Sequence, residues 1–112
     1  MSRQTADGSV FTAVADPTRR AILASLCAGE RSVGELMEPL DLAQSAFSQH
    51  LAVLRRANLV QARREGRLQM YSINPDPLYE VVSWIRHFDR FWDDRLGRLG
   101  GYLDAKHKGK KR

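Results

Sequence analysis

The residues best suited to recognition chemistry lie between Gln44 and Arg67. Gln44, Ser45, Ser48 and Gln49 recur at a spacing that puts them on one face of a helix, with Phe47, Leu51 and Leu54 on the other. A glutamine amide donates and accepts at once, which matches the adenine edge in a major groove, and a serine hydroxyl bonds either way. Gln44 falls at the helix start, within reach of a phosphate or a base. His50 and Arg55 follow on the same helix. The histidine supports a backbone contact or a helix pair sooner than it reads a base. Arg55 and Arg56 face phosphate or complement the helix dipole. Further on, Arg63, Arg64 and Arg67 surround Glu65-Gly66, the turn of a hairpin, where they meet phosphate or a minor groove. A polar helix face beside a basic hairpin is suited to duplex DNA. The bland alternative is an ordinary solvated surface.

Other chemistries find little support. There is no Gly-rich phosphate loop and no Ser-x-x-Lys, and neither His50 nor His87 has a nucleophile to pair with. No enzyme activity and no cofactor are expected. The single cysteine, Cys27, excludes an intrachain disulfide and reads as a small buried hydrophobe beside an apolar helix stripe.

The elements that position these residues announce themselves locally. A short helix is expected over Ser9–Ala15. Asp16-Pro17-Thr18 opens a second helix, with Asp16 as cap and Pro17 at the first helical position. Ile22, Leu23 and Leu26 form its buried stripe, and Gly29 sits where a helix end asks for positive φ. Ser32-Val33-Gly34-Glu35 spells a capping box for a third helix, whose buried side is Leu36 and Leu40. A fourth helix runs from about Ala43 to Ala57, and Asn58 takes the left-handed conformation behind it. Two alternating segments, Leu59–Arg64 and Leu68–Ile73, form a two-stranded hairpin turning at Glu65-Gly66.

After Asn74-Pro75-Asp76-Pro77 comes one long helix. Its apolar residues Leu78, Val81, Ile85, Phe88, Trp92, Leu96, Leu99 and Leu103 are spaced 3, 4, 3, 4, 4, 3 and 4 apart. Such a helix is roughly 40 Å long and too apolar to lie alone on a small domain. Gly97, Gly100 and Gly101 weaken its end.

A chain of 112 residues is one domain with a modest core. Its net charge of +5 is unevenly spread. Residues 42–74 hold 5 basic and 1 acidic residue, and residues 106–112 hold 5 basic and none acidic. A localised basic patch marks nucleic-acid binding. Residues 1–8 read as a flexible start, 9–105 as the folded domain and 106–112 as a disordered basic tail. No apolar run is long enough for a membrane span and the first residues have no signal-peptide core, so the cytoplasm is expected.

The order of short helices, hairpin and long helix is that of a winged helix-turn-helix, mainly α with a small β-hairpin. Several fragments also resemble one family, the ArsR-type (ArsR/SmtB) winged-helix repressors of bacteria. They are Ala15-Asp16-Pro17-Thr18-Arg19-Arg20-Ala21-Ile22-Leu23, Ser32-Val33-Gly34-Glu35-Leu36, Ser45 to Arg55, Asn58-Leu59-Val60, and Arg64-Glu65-Gly66-Arg67 leading to Tyr71. The resemblance implies a repressor that binds double-stranded operator DNA as a homodimer, with its first and last helices paired across a two-fold axis. Phe11, Leu78, Val81, Ile85, Phe88, Trp92 and Leu96 would then form the interface.

The chain departs from the family pattern in places. Ala43 stands where a serine or threonine cap is usual, and Asn58 where glycine is usual. The third helix lacks the Cys-x-Cys motif of many metal-sensing relatives. In the last helix His87 and Asp89 have no second histidine beyond them, only Asp93, Asp94 and Asp104. No metal site is expected, which places the chain in a metal-independent branch. Trp84, Phe88, Phe91 and Trp92 read as dimer core, with a small apolar effector pocket between subunits as the sharper alternative. A ligand- or metal-responsive sensor and a protein-binding winged-helix module are the rival readings.

Overall fold

The computed structural model describes residues 9–95, with side chains up to residue 92. The flanking segments 1–8 and 106–112, and Leu96, Leu99, Leu103 and the glycines 97, 100 and 101, lie outside the described residues. The chain divides into two units, one ending at Val81 and one beginning at Val82.

In the first unit, helix α1 (Val10–Val14) starts at Ser9, whose hydroxyl accepts from the Phe11 and Thr12 amides. Helix α2 (Pro17–Leu26) starts at Asp16, whose carboxylate accepts from the Thr18 and Arg19 amides at 2.8 and 3.1 Å. Helix α3 (Val33–Met37) opens with the full capping box. Glu35 N–H donates to Ser32 Oγ at 3.2 Å and Ser32 N–H donates to Glu35 Oε1 at 2.8 Å. Helix α4 (Gln44–Arg56) follows after a short turn, so α3 and α4 form a helix-turn-helix. Strands β2 (Val60–Glu65) and β3 (Leu68–Ile73) form the hairpin.

The sheet has three strands where two are expected. Arg31–Ser32 forms strand β1, antiparallel to β3 with Arg31 opposite Tyr71 and Ser32 opposite Met70. The strand order is β1-β3-β2. Two residues are too few to show a period of two, and Ser32 doubles as the cap of α3, so its sequence signal is that of a helix start. The hairpin turn also sits one residue later than expected. Glu65 pairs with Leu68, leaving Gly66 and Arg67 as the loop. Gly66 takes φ 63°, the glycine-first arrangement that matches the twist of a tight hairpin.

The core lies between α2, α3, α4 and the sheet. Ile22, Leu26, Leu36, Phe47, Leu54 and Leu59 are essentially fully buried, and Tyr71 packs under the wing as its place in an alternating strand predicts. Leu40, Leu78 and Val81 pack against this cluster from its edge. Cys27 does not join it. The chain turns out of α2 there, and Leu26 takes the inward position while Cys27 is exposed.

The second unit departs from one continuous helix. Helix α5 (Leu78–Ile85) gives way to a 3₁₀ turn at Arg86–Phe88 before helix α6 (Asp89–Arg95). The tighter ladder shows in the Asp89 amide, which donates to the Arg86 carbonyl three residues back. His87 Nδ1 lies 3.2 Å from the Trp84 carbonyl, a side-chain contact to a backbone acceptor of that ladder. Trp84 and Phe88 meet edge to face at 5.4 Å.

The end of α4 fixes where the wing begins. Asn58 has φ 62°, the Asn58 amide donates to Arg55 O at 2.9 Å, and the Leu59 amide donates to Leu54 O at 3.0 Å. This is the Schellman pair of bonds. Asn74 closes the corner from β3, with Nδ2 on Asn58 O and its amide on Leu59 O, both at 2.8 Å. Asn58→Gly is expected to keep the stability of the unaltered protein, whereas Asn58→Ala should lose about 1 kcal/mol, because alanine keeps the Cβ that crowds the carbonyl at positive φ and loses the short polar side chain that offsets it. Urea denaturation of the three proteins checks this.

Candidate nucleic-acid interface

The exposed face of α4 is built by its buried one. Phe47, Leu51 and Leu54 anchor the helix in the core. The 3.6-residue period then places Gln44, Ser45, Ser48 and Gln49 together on the outside, and all four are exposed. No side chain caps the helix, since Ala43 at the N-cap has no acceptor to offer. Its first-turn amides are left for solvent or an anion.

His50 and Arg55 are placed differently. His50 is half-buried, and its Nδ1 lies 3.0 Å from Arg19 Nη1 and 3.9 Å from Asp16 Oδ2. The two contacts ask for opposite states. A guanidinium only donates, so the shorter contact needs an unprotonated Nδ1, while an ion pair with Asp16 needs an imidazolium. The 3.0 Å contact has hydrogen-bond length and the 3.9 Å one does not, so the neutral tautomer with its proton on Nε2 fits this geometry. Arg55 is exposed, and its guanidinium carbon sits 5.9 Å from the centre of the Tyr71 ring.

Arg19, which carries no site role in the sequence, is the hub behind α4. Its Nε donates to Ala13 O and its Nη2 to Thr12 O, both at 2.9 Å, while Nη1 reaches His50. Arg20 adds a bond from Nη1 to Val14 O at 2.9 Å. These bonds satisfy carbonyls at the end of α1 and lock it to α2 and α4. Nothing in the spacing of Arg19 and His50, which are 31 positions apart, could have shown this. Burial raises the Asp16 pKa, but the Arg19 and Thr18 amides, helped by the charge of Arg19, hold it below its usual value on balance.

The wing carries three arginines in two environments. Arg63 Nε donates to Glu30 Oε2 at 2.6 Å, and its Nη2 donates to Glu30 Oε1 and to Glu65 Oε1, both at 2.8 Å. Hydrogen bonding to Arg63 holds the Glu30 carboxyl below the usual range, and the Glu30 bond leads the effects that push the Arg63 pKa above its ordinary value. Arg64 and Arg67 are exposed, and among the described residues no carboxylate lies within ion-pair distance of either. The structure therefore brings Arg64 and Arg67 together at the hairpin tip as uncommitted cations and holds Arg63 in a separate carboxylate cluster. Among the described residues no group of three or more His, Cys, Asp or Glu side chains could hold a metal ion, and no helix is long and apolar enough to cross a membrane.

A helix-turn-helix followed by a β-hairpin, with a polar helix face and a cationic tip, defines a winged helix-turn-helix DNA-binding protein. Residues 16–62 match the family described as bacterial regulatory protein, arsR family. Transcriptional repressor SdpR of Bacillus subtilis is 33% identical over 88 residues, which cover 79% of this chain and 98% of that protein. The HTH-type transcriptional regulator Rv2034 of Mycobacterium tuberculosis is 36% identical over 105 residues, covering 94% of this chain and 95% of that one. The crystal structure of the ArsR family transcriptional regulator RHA00566 superposes with a TM-score of 0.66 at 34% identity, covering 76% of this chain and 88% of that chain. The chain belongs to the ArsR family and is a DNA-binding transcriptional regulator. The family is one of regulators and not of enzymes.

The hub generates two expectations. Arg19→Met leaves the Ala13 carbonyl and His50 Nδ1 without this donor and the Thr12 carbonyl with the Ala15 amide alone, and should destabilise the fold by on the order of 2 kcal/mol, read from urea unfolding. The depressed Asp16 pKa contributes stability that is present above the unfolded value near 3.8 and is lost as the pH falls through the lower folded value. Thermal melts between neutral pH and about pH 3 should therefore show a steeper acid limb for the unaltered protein than for Asp16→Asn, with the difference confined to pH below about 5.

Proposed function

We propose that the protein is a repressor that binds an inverted-repeat operator as a homodimer in the cytoplasm, with residues 9–105 as the regulatory domain. The carrying observation is that one packed unit presents two complementary surfaces. One is the exposed Gln44, Ser45, Ser48 and Gln49 face of α4, and the other is the uncommitted Arg64 and Arg67 at the wing tip. In this reading α4 enters the major groove, Gln49 and Ser48 meet base edges, and Gln44 and Ser45 meet a base or a nearby phosphate at the uncapped helix start. Arg64 and Arg67 bind phosphate or the flanking minor groove. Arg55 and His50 support α4 from behind, through Tyr71 and Arg19.

The dimer reading rests on apolar surface. Tyr79, Trp84, Phe91 and Trp92 are 62%, 52%, 59% and 45% exposed, and Phe11, Val82 and Phe88 are exposed as well. A second subunit would cover Phe11, Leu78, Val81, Ile85, Phe88 and Trp92 and place two recognition helices about 34 Å apart, one turn of duplex. Ile85→Arg puts an unpaired charge there, and sedimentation should show a monomer where the unaltered chain is a dimer at micromolar concentration. A monomeric unaltered chain would remove this reading.

Selection from a random duplex pool should return an inverted repeat. On that duplex Gln49→Ala should lower discrimination by about 1–3 kcal/mol at one base pair per half-site and leave mixed-sequence binding nearly intact. Arg67→Ala should weaken both duplexes alike and reduce the salt slope by about one unit for each phosphate no longer neutralised. Titrations at several salt concentrations decide. No sequence enrichment together with no effect of either substitution would favour a protein-binding module.

A further inference from the structure

Arg63 reaches an unusual distance across the wing. It lies on β2, the strand farthest from β1, and β3 runs between them. Arg63 pairs with Met70 in β3, and Met70 pairs with Ser32 in β1, so these three share one face of the sheet. Glu30 immediately precedes β1. The guanidinium thus spans the sheet from one edge to the other over Met70 and closes bidentately on Glu30, while Glu65, two positions along its own strand, takes a further N–H. The guanidinium is held by two carboxylates, so the cluster of one cation and two anions carries a formal charge of −1. Such a unit offers no net attraction to a phosphate.

We propose that Glu30, Arg63 and Glu65 form a strap that sets the attitude of the wing, so that Glu30 is a positioning residue for DNA recognition and Arg63 acts on DNA only through it. The strap ties β2 to the start of β1 across β3, and Arg64 and Arg67 are aimed by it. Exposed ion pairs add little to fold stability, and bidentate geometry gives direction more than energy. Its removal should therefore be felt in the fit to a specific duplex and not in the melting of the protein.

This rests on the DNA-binding reading above, and the test separates the two. Full-length Arg63→Met, Glu30→Gln and Arg67→Ala are titrated with a mixed-sequence duplex and with the duplex recovered by selection, across a range of salt. Circular dichroism melts confirm that each variant folds. Arg63→Met should leave the salt slope on mixed-sequence duplex close to that of the unaltered protein, while Arg67→Ala lowers it by about one unit for each phosphate it had neutralised. Arg63→Met, which removes all three hydrogen bonds, and Glu30→Gln, which removes the charge and one of the two acceptor oxygens, should each lower the ratio of specific to mixed-sequence affinity by roughly threefold to tenfold. The Glu30 variant keeps Arg63 intact, so a drop there cannot come from a missing arginine. The strap is overturned if Arg63→Met lowers the slope as Arg67→Ala does, or if Glu30→Gln leaves or raises the specificity ratio. If Arg67→Ala itself leaves the slope unchanged, the wing does not meet DNA and the underlying reading falls as well.

Discussion

The geometry of the DNA-facing half depends on one guanidinium. Arg19 donates to the carbonyls of Thr12 and Ala13 and to His50, and so joins the end of α1, the start of α2 and the middle of α4. Helices this short have little stability of their own. Five residues of α1 could not hold a position without an external partner for their last carbonyls. Asp16 strengthens the same corner by capping α2 at the turn that delivers Arg19. An arginine suits this place better than a lysine would, because its planar fork can serve three acceptors in fixed directions.

From that corner the positioning passes along α4 to the wing with few free joints. The Schellman bonds at Asn58 and the two bonds from Asn74 define the bend between helix and sheet. Leu54 and Leu59, on either side of that bend, are both completely buried. A recognition helix and a wing that must meet one duplex together need such a fixed angle, since a small error of position is multiplied along the hairpin. The cations divide accordingly. Arg19, Arg31 and Arg63 bond within the protein, with Arg31 Nε on Ser25 O at 3.4 Å, while Arg64 and Arg67 stand clear of any acid among the described residues. Net charge alone could not have separated these roles.

The second unit poses a different physical problem. A small chain cannot bury every apolar side chain it carries. Aromatic residues in positions 82–92 remain exposed, whereas Leu78 and Val81 still touch the edge of the core. A change from α to 3₁₀ geometry between Arg86 and Phe88 alters which side chains line up beyond it. The uniform 3.6-residue period read from the sequence holds through α5 and is interrupted at Arg86–Phe88.

Local chemistry was legible in the sequence by itself. Asp16-Pro17, Ser32 with Glu35, Asn58 and Gly66 all act within a few residues of their own backbone, so their types and order announce helix starts, a helix end and a turn. The amphipathic pattern of α4 likewise determined which side faces out and hence the candidate Gln44, Ser45, Ser48 and Gln49 surface. The tertiary structure alone decided what joins distant segments. It added β1, whose two residues pair only because β3 lies beside them, and it exposed Cys27 at the turn out of α2. It tied His50 to Arg19 and drew Arg63 to Glu30, 33 positions away. A side chain's charge is written in the sequence, but whether that charge is neutralised inside the molecule depends on which acceptor the folded chain brings within about 3 Å.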